Sequence, residues 1–189
     1  MTTEERAPRI DAQRNREAVI DAAIELLAEQ PSASIGTIAA HSGVGRTTVY
    51  RHFPHRNDLI RALFLRVVED AQRVTSEVIE RCDSAAEVLG ELGPAIVGIG
   101  RRYMFLESQR QYGDEVLAES TLNPEDPVRR FLAEAQRSGE VRTDMPIQWI
   151  LSSINAMASG AMVELGSGRV DADEAGRMLG EMMVRSFSA

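Results

Sequence analysis

Arginine, threonine, tyrosine and histidine residues cluster in one short stretch of the sequence, at positions 46–52. These residue types suit a nucleic acid, because arginine forks onto guanine, threonine bonds a base or touches a thymine methyl group, and tyrosine and histidine reach phosphate oxygens. The polar positions are Arg46, Thr47, Thr48, Tyr50, Arg51 and His52. A helical hairpin with a solvated polar face has the same composition, so composition alone leaves both interpretations open.

Two short helices around a glycine turn would present that polar face, and the sequence predicts both. Ser34 is a good N-cap for a helix over residues 35–42. Gly43 lies where the chain must turn, and we expect a positive φ there. A second helix over residues 46–52 ends at Phe53-Pro54. Together they form the helix-turn-helix pattern, packed by small apolar side chains: Ile38, Ala39, Val44 and Val49.

Apolar residues recur at three- and four-residue intervals along the rest of the chain, and alternating strand patterns are nearly absent. The sequence therefore predicts an all-α protein of about nine helices. A break or kink is expected at Gly93-Pro94, and Pro146 is expected at or near the first turn of its helix. The other predicted helices cover residues 11–30, 56–81, 84–93, 95–111, 128–137, 147–165 and 173–187.

The charge of the chain is unevenly distributed. The 189 residues carry a formal net charge of −8, which at first argues against a nucleic-acid partner. Residues 1–66 hold 9 arginines and 8 acidic residues, whereas the remainder holds 12 arginines and 21 acidic residues. Net charge affects solubility and long-range steering rather than fold. The acidic C-terminal part therefore does not exclude DNA binding by the balanced N-terminal third.

Residues 38–53 read Ile-Ala-Ala-His-Ser-Gly-Val-Gly-Arg-Thr-Thr-Val-Tyr-Arg-His-Phe, and Arg-Asn-Asp-Leu follows at 56–59. This is similar to the signature of the TetR/AcrR transcriptional regulators, Ile-Ala-x-x-Ala-Gly-Val-Ser-x-Gly-Thr-Leu-Tyr-x-His-Phe, followed by Lys-x-x-Leu. The resemblance covers residues 14–63. It implies a three-helix DNA-binding domain at residues 1–55 and a larger helical effector-binding and dimerisation domain at residues 56–189.

The resemblance also implies roles for individual residues. Tyr50 and His52 would meet phosphates, and Thr37 would touch the DNA backbone. Arg56 stands where the family usually has lysine, so we expect its phosphate contact to survive. Thr48 falls on a further DNA-facing position, and the variable positions that tune sequence choice are Arg46, Thr47 and Arg51.

Besides Arg56, three departures from the family signature bear on contacts with DNA. Ser42 replaces the usual alanine, which is a mild change. Gly45 replaces the usual serine, so the hydroxyl that would cap the second helix is missing, together with a possible phosphate contact. Glycine is still a tolerable N-cap. Thr47 replaces a small residue, which affects close approach of the backbone to DNA. These changes bear on the operator sequence rather than on whether DNA is bound.

The last two helices of the family usually form a four-helix bundle with a partner's, which implies a homodimer on a palindromic operator with half-sites ~34 Å or more apart. An intrachain core, or a pocket lined by adaptable methionines, would use the same residues. Those residues are Ala156, Ala158, Gly160 and Ala161 on one helix, and Met178, Leu179, Met182, Met183 and Phe187 on the other.

The middle helices of the family enclose a small-molecule effector pocket, which implies six candidate pocket residues in this chain. Each of the six also fits an ordinary core position. The implied mechanism is a ligand that shifts the helix after Arg56 and separates the two recognition helices, for which an allosteric coupling of about 1–3 kcal/mol suffices. The candidates are Tyr103, Met104, Phe105, Trp149, Asn155 and Met157.

Other functional classes find less support. An enzyme lacks a placed acid–base pair, a nucleophile motif or a Walker loop here. His52 and His55, with His41, lack the cysteine or spaced acid that would complete a metal site. We therefore expect no cofactor and no metal. A regulator that answers to a protein partner or to no ligand, and an activator, remain open.

Cellular location is predicted from cysteine usage and hydropathy. Cys82 is the only cysteine, so no intrachain disulfide can form, which fits a reducing cytoplasm. A core role for Cys82 is more common than a redox-sensing one. Residues 1–10 lack the apolar segment of a signal peptide. No stretch reaches the ~18 apolar residues of a membrane span, so no membrane partner is expected.

Overall fold

The computed structural model describes residues 6–189, and the side chains of residues 11–189 apart from positions 110, 114 and 121. The polar start of the chain, residues 1–5, lies outside the described residues. The described part is all-α and has no strand, only an isolated bridge between Val141 and Ser188. Its helices are α1 (Arg6–Glu29), α2 (Ile35–Ser42), α3 (Arg46–His52), α4 (Arg56–Arg81), α5 (Ala85–Arg102), a 3-10 helix (Met104–Tyr112), α6 (Asp114–Leu122), α7 (Pro127–Ser138), α8 (Ile147–Gly166) and α9 (Ala172–Phe187).

One compact unit takes in the chain up to Leu65 together with Phe105–Gly113. The apolar stripe of α1 is buried against α2 and α3. Ile38 of α2 and Val49 of α3 are fully buried, and Phe53 closes the end of α3. Gly113 lies against the ring of Phe64, so closely that a Cβ at this position would collide with it. This unit therefore has its own core, into which α2 buries Ile35, Ile38 and Ala39 and α3 buries Val49.

The second compact unit comprises Arg66–Met104 and Asp114–Ala189. Its core lies between α5, α8 and α9, around side chains such as Leu89, Leu92, Ile150 and Met183. The C-terminus is fixed at the edge of this core, because Arg142 N–H donates to Phe187 O (3.0 Å) and Ala189 N–H donates to Glu140 O (3.1 Å).

Helices α5 and α9 cross at closely packed glycines. A Cβ on Gly93 would collide with the backbone of Gly176 and Gly180, and a Cβ on Gly180 would collide with Gly90 O. Pro94 lies inside α5, and because proline has no N–H, it leaves that Gly90 carbonyl without its usual helical donor. The same carbonyl faces Gly180, so α9 covers the point at which α5 lacks this hydrogen bond.

Several predicted boundaries need correction. The predicted break of α5 at Gly93-Pro94 is wrong, because the helix continues through Pro94 to Arg102. The predicted helix over residues 95–111 ends instead at Arg102 and gives way to the 3-10 helix. Pro146, by contrast, is the N-cap of α8 and so lies next to its first turn, as predicted. The packing of α9 on α5 explains the first difference, since tertiary contacts compensate the lost hydrogen bond of Pro94.

Candidate nucleic-acid interface

Helix α2 begins at a side-chain cap. Ser34 Oγ accepts a hydrogen bond from Thr37 N–H (3.1 Å), as predicted for an N-cap, and lies 2.8 Å from Thr37 Oγ1. Both residues are exposed. The mutual bond fixes the Thr37 hydroxyl at the start of α2, where it stays open to solvent.

The turn between α2 and α3 depends on two glycines and a serine. Gly43 has φ +68°, which confirms the predicted left-handed turn, a conformation that favours glycine. Ser42 Oγ donates to Ala39 O (3.0 Å) and accepts from Val44 N–H (3.2 Å), so it links the end of α2 to the turn. Gly45 caps α3 with its backbone alone, since it has no side chain for the role. The serine at position 42 thus has a structural function that the sequence did not reveal.

Helix α3 turns one side to the core and the other to solvent. Val49 is fully buried, and Phe53, its C-cap, is 2% exposed. Arg46, Thr47, Tyr50 and Arg51 are exposed, whereas Thr48 and His52 are half-buried. The residues predicted to contact DNA therefore share one solvent-facing surface with two members at its margin.

Arg46 and Tyr50 form a stacked pair one turn apart on α3. The Arg46 guanidinium lies over the Tyr50 ring, 5.6 Å from its centroid, a favourable cation–π arrangement. The same guanidinium passes Gly36 at the start of α2, where a Cβ would lie 3.7 Å from Arg46 Nη2. Arg46 therefore brings the exposed start of α2 and the outer face of α3 together.

His52 occupies a more enclosed place than the other polar residues of α3. Its Nε2 is buried and has no hydrogen-bond partner within the described part of the chain. Burial, followed by the nearby Arg51 and Arg16 guanidinium groups, lowers the pKa of His52. The imidazole is thus neutral at pH 7, and its ring lies 6.3 Å from that of Phe53.

Arg56, the first residue of α4, is bound to the protein itself. Its Nη1 donates to Ala33 O, and its Nη2 donates to Pro31 O at 3.0 Å. Both acceptors lie in the turn between α1 and α2. The half-buried guanidinium therefore ties the start of α4 to that turn.

The surface around α2 and α3 is locally basic. From Gln30 through Asn57 the sequence contains Arg46, Arg51 and Arg56 and no acidic residue. The nearest ion pair on α2 joins His41 to Glu25 of α1, with 3.5 Å between Nε2 and Oε2. A chain with a net charge of −8 thus contains a stretch with three arginines and no acidic residue, a local charge of the sign that phosphate binding requires.

The predicted effector residues do not form one group. Tyr103 is buried, and its hydroxyl donates to Asp70 Oδ2 (2.7 Å). Trp149 is 64% exposed and Asn155 is also exposed, whereas Met104, Phe105 and Met157 are half-buried. Phe105 belongs to the first compact unit, unlike the other five residues. Of the effector candidates that lie in the second unit, Tyr103, Met104 and Met157 have the burial expected of a pocket lining.

Asp70 is a polar centre that the sequence did not single out. Besides Tyr103, it binds Arg102 Nη1 at 3.1 Å and lies 3.6 Å from Arg73 Nη2. Burial, followed by the hydrogen bond and the charge of Asp70, raises the pKa of Tyr103, so the phenol stays protonated and remains a donor. Only the acid's helical position on α4 was visible in the sequence, since its partners lie 32 and 33 residues away.

An apolar surface lies open on α8 and α9. Trp149, Ala156 and Val163 are exposed and recur every seven residues on α8, and Val163 is 59% exposed. Met178 and Met182 are exposed one turn apart on α9. The other α9 residues considered for dimerisation belong to the core of this chain: Leu179, Met183 and Phe187.

No helix in the described residues is long and apolar enough to cross a membrane. Within the same residues, no three histidine, cysteine, aspartate or glutamate side chains gather in a way that could hold a metal ion.

Comparison with known proteins agrees with this geometry. Residues 19–63 match the family model for bacterial regulatory proteins of the tetR family. The chain is 34% identical to the HTH-type transcriptional repressor LfrR of Mycolicibacterium smegmatis, in an alignment covering 81% of this chain and 93% of that protein.

Solved structures show the same fold. The crystal structure of LfrR from Mycobacterium smegmatis in complex with proflavine superposes with a TM-score of 0.66 and 26% identity, covering 92% of this chain and 96% of that one. FadR from Bacillus subtilis, in complex with stearoyl-CoA, gives a TM-score of 0.69 at 18% identity, covering 89% and 97%. The 34% identity over 81% of this chain carries the family assignment. This chain belongs to the TetR family of bacterial transcriptional regulators.

Proposed function

We propose that this protein is a repressor that binds a palindromic operator as a homodimer and is released by a small-molecule effector. The observation that carries the proposal is the exposed polar face of α3, in a stretch of chain without acidic residues. The 34% identity to a transcriptional repressor supports repression rather than activation. We place its action in the cytoplasm, where a bacterial operator lies.

On DNA, α3 would enter the major groove. Arg46, Thr47 and Arg51 would read base edges, because their side chains are exposed along the helix. Tyr50, His52, Thr37 and Thr48 would contact the sugar–phosphate backbone and fix the register. The Arg46–Tyr50 stack supports this division, since it orders both side chains before DNA arrives, which lowers the entropy cost of binding.

Dimerisation would use the exposed apolar surface of α8 and α9. A second copy would bury Trp149, Val163, Met178 and Met182, which otherwise expose large apolar side chains. Two recognition helices would then meet two half-sites of a palindrome. Tyr103, Met104 and Met157 are the effector contacts that we retain, whereas Trp149 and Asn155 would have to contact an effector from exposed positions.

Selection from a random DNA pool with the purified protein tests the proposal. We expect an enriched palindrome, and titration of the selected duplex against salt should show the steep dependence of phosphate contacts. A folded protein that enriches no sequence at low salt would contradict DNA recognition through α3. A single unrepeated half-site would instead contradict the homodimer.

The effector part of the proposal has its own test. The relative LfrR has been crystallised with proflavine, so proflavine is the first probe to add to the complex of protein and selected operator. Release of DNA at concentrations that leave free duplex intact would support a ligand-responsive repressor. Unchanged operator binding in the presence of saturating, protein-bound proflavine would contradict release by this ligand.

A further inference from the structure

The side chain of Arg56 closes a clamp around the helix-turn-helix. The two carbonyls that it binds belong to Pro31 and Ala33, immediately before the α2 cap Ser34. Arg56 itself comes three residues after Phe53, the C-cap of α3. One guanidinium thus joins the residue before the helix-turn-helix to the first helical residue after it.

Both ends of the clamp are locally rigid. On one side, Ala33 is 8% exposed, and its N–H donates to Gln30 O (2.9 Å). On the other side, Asp58 Oδ2 accepts from His55 N–H (2.9 Å), and Asp58 N–H donates to His55 O (3.1 Å). These bonds fix the turn before Arg56 and the first turn of α4. The clamp therefore connects two ordered segments that are 23 and 25 residues apart in sequence.

A planar guanidinium is suited to this task. Its two terminal nitrogens present donors in a fixed fork, so each can serve a different carbonyl, whereas a lysine has one nitrogen on a shorter arm. Hydrogen bonds from a charged donor are also the stronger kind. The bonds leave the guanidinium half-buried and directed at backbone oxygens.

We propose that Arg56 is a positioning residue for operator binding, which sets α2 and α3 for DNA by clamping the α1–α2 turn to the start of α4, and does not act as a phosphate ligand. This inference rests on the proposed DNA-binding function and assigns Arg56 a role different from the one implied by the family resemblance. Orientation of α3 would depend on the fork, and the positive charge alone would not replace it.

Two variants of Arg56 separate the two roles. Arg56→Lys keeps the charge and removes the fork, and Arg56→Gln removes both. If Arg56 positions the helices, both variants should bind the selected operator about tenfold more weakly, with the wild-type slope of log affinity against log salt. If Arg56 binds a phosphate, Arg56→Lys should restore wild-type affinity, and Arg56→Gln should lower the slope by about 0.9. That second result would overturn the proposal.

Arg51→Gln is the matched control, because Arg51 is exposed on α3 and is itself a proposed DNA contact. It should weaken binding and relax the sequence preference, which shows that the assay detects the loss of one direct DNA contact. All affinities are measured at a temperature where circular dichroism shows each variant folded. If the wild type selects no operator, the proposed function fails and the clamp is judged on free protein alone.

Hydrogen exchange of the free protein tests the clamp independently of DNA binding. In Arg56→Lys and Arg56→Gln, the amides of residues 32–34 should exchange faster than in the wild type, while those of the Val19–Leu27 stretch of α1 should not change. Equal exchange of the turn in all three proteins would overturn the clamp, whatever the DNA result.

Discussion

Glycines serve opposite purposes in the two compact units. At the turn before α3, a Cβ on Gly43 or Gly45 would meet nothing within 4 Å, so both glycines leave the surface open, and Gly43 also supplies the left-handed conformation of the turn. At the α5–α9 crossing, a Cβ on Gly93 or Gly180 would collide with the facing backbone. The first unit thus exposes the polar face of α3, while the second locks two helices together. The predictions below test this contrast.

The largest expected effect is on the locked crossing. Gly180→Val should lower the free energy of unfolding by about 3 kcal/mol, because the added atoms overlap Gly90 O and force the helices apart. Chemical denaturation measures the change. Gly160→Ala is the control, since a Cβ there meets nothing within 4 Å, and it should stabilise α8 by about 0.5–1 kcal/mol. Equal stability of Gly180→Val and wild type would contradict the close crossing.

The next effect concerns the open surface of the second unit. Trp149→Glu should weaken the homodimer about 30-fold or more, because a buried aromatic anchor contributes ~2 kcal/mol or more at an interface. Sedimentation velocity over a concentration series measures the dimer. Leu122→Glu is the matched control: Leu122 is 63% exposed on α6, close to the 64% of Trp149 on α8. Similar dimer constants for both variants would show that α8 is not the interface.

A smaller effect is expected at the polar centre of the second unit. Tyr103→Phe removes the donor to Asp70 Oδ2 and should cost about 1 kcal/mol of stability, because Arg102 still binds the partly buried carboxylate. Thermal unfolding measures the loss. Tyr112→Phe, on the 3-10 helix, is the comparison variant. A Tyr103→Phe protein as stable as wild type would show that the Tyr103 hydroxyl is not a structural donor.

Features set by residues close together in the sequence could be predicted, whereas contacts between distant residues could not. The cap at Ser34, the turn at Gly43 and the exposed face of α3 were predictable because each depends on residues a few positions apart. The continuous α5 through Pro94 was not, since the compensating packing comes from Gly180 on α9. The same reason hid the Arg56 clamp and the Asp70–Tyr103 bond, whose partners are distant in sequence. The fold class and the exposed polar face of α3 were therefore predictable, and the contacts between residues distant in sequence were not.

The smallest expected effect lies in the first unit and is a change of stability with pH at His52. Burial lowers the folded-state pKa of His52 below 6.5, so the unfolded chain binds a proton more readily. The stabilisation is complete above pH 6.5 and is lost as pH falls from there toward the folded-state pKa. The stability of wild type relative to His52→Asn should therefore decrease between pH 7.5 and 5.5. A difference independent of pH would contradict the enclosed, neutral imidazole.

The affinity of Arg51→Ala for the selected operator tests the central claim, that the exposed face of α3 recognises DNA, most directly. Arg130→Ala, which removes another exposed arginine on α7, is the control. We predict a loss of about 10- to 100-fold for Arg51→Ala, with unchanged thermal stability and with wild-type binding by Arg130→Ala. A folded Arg51→Ala protein that binds the operator as tightly as wild type would contradict the account.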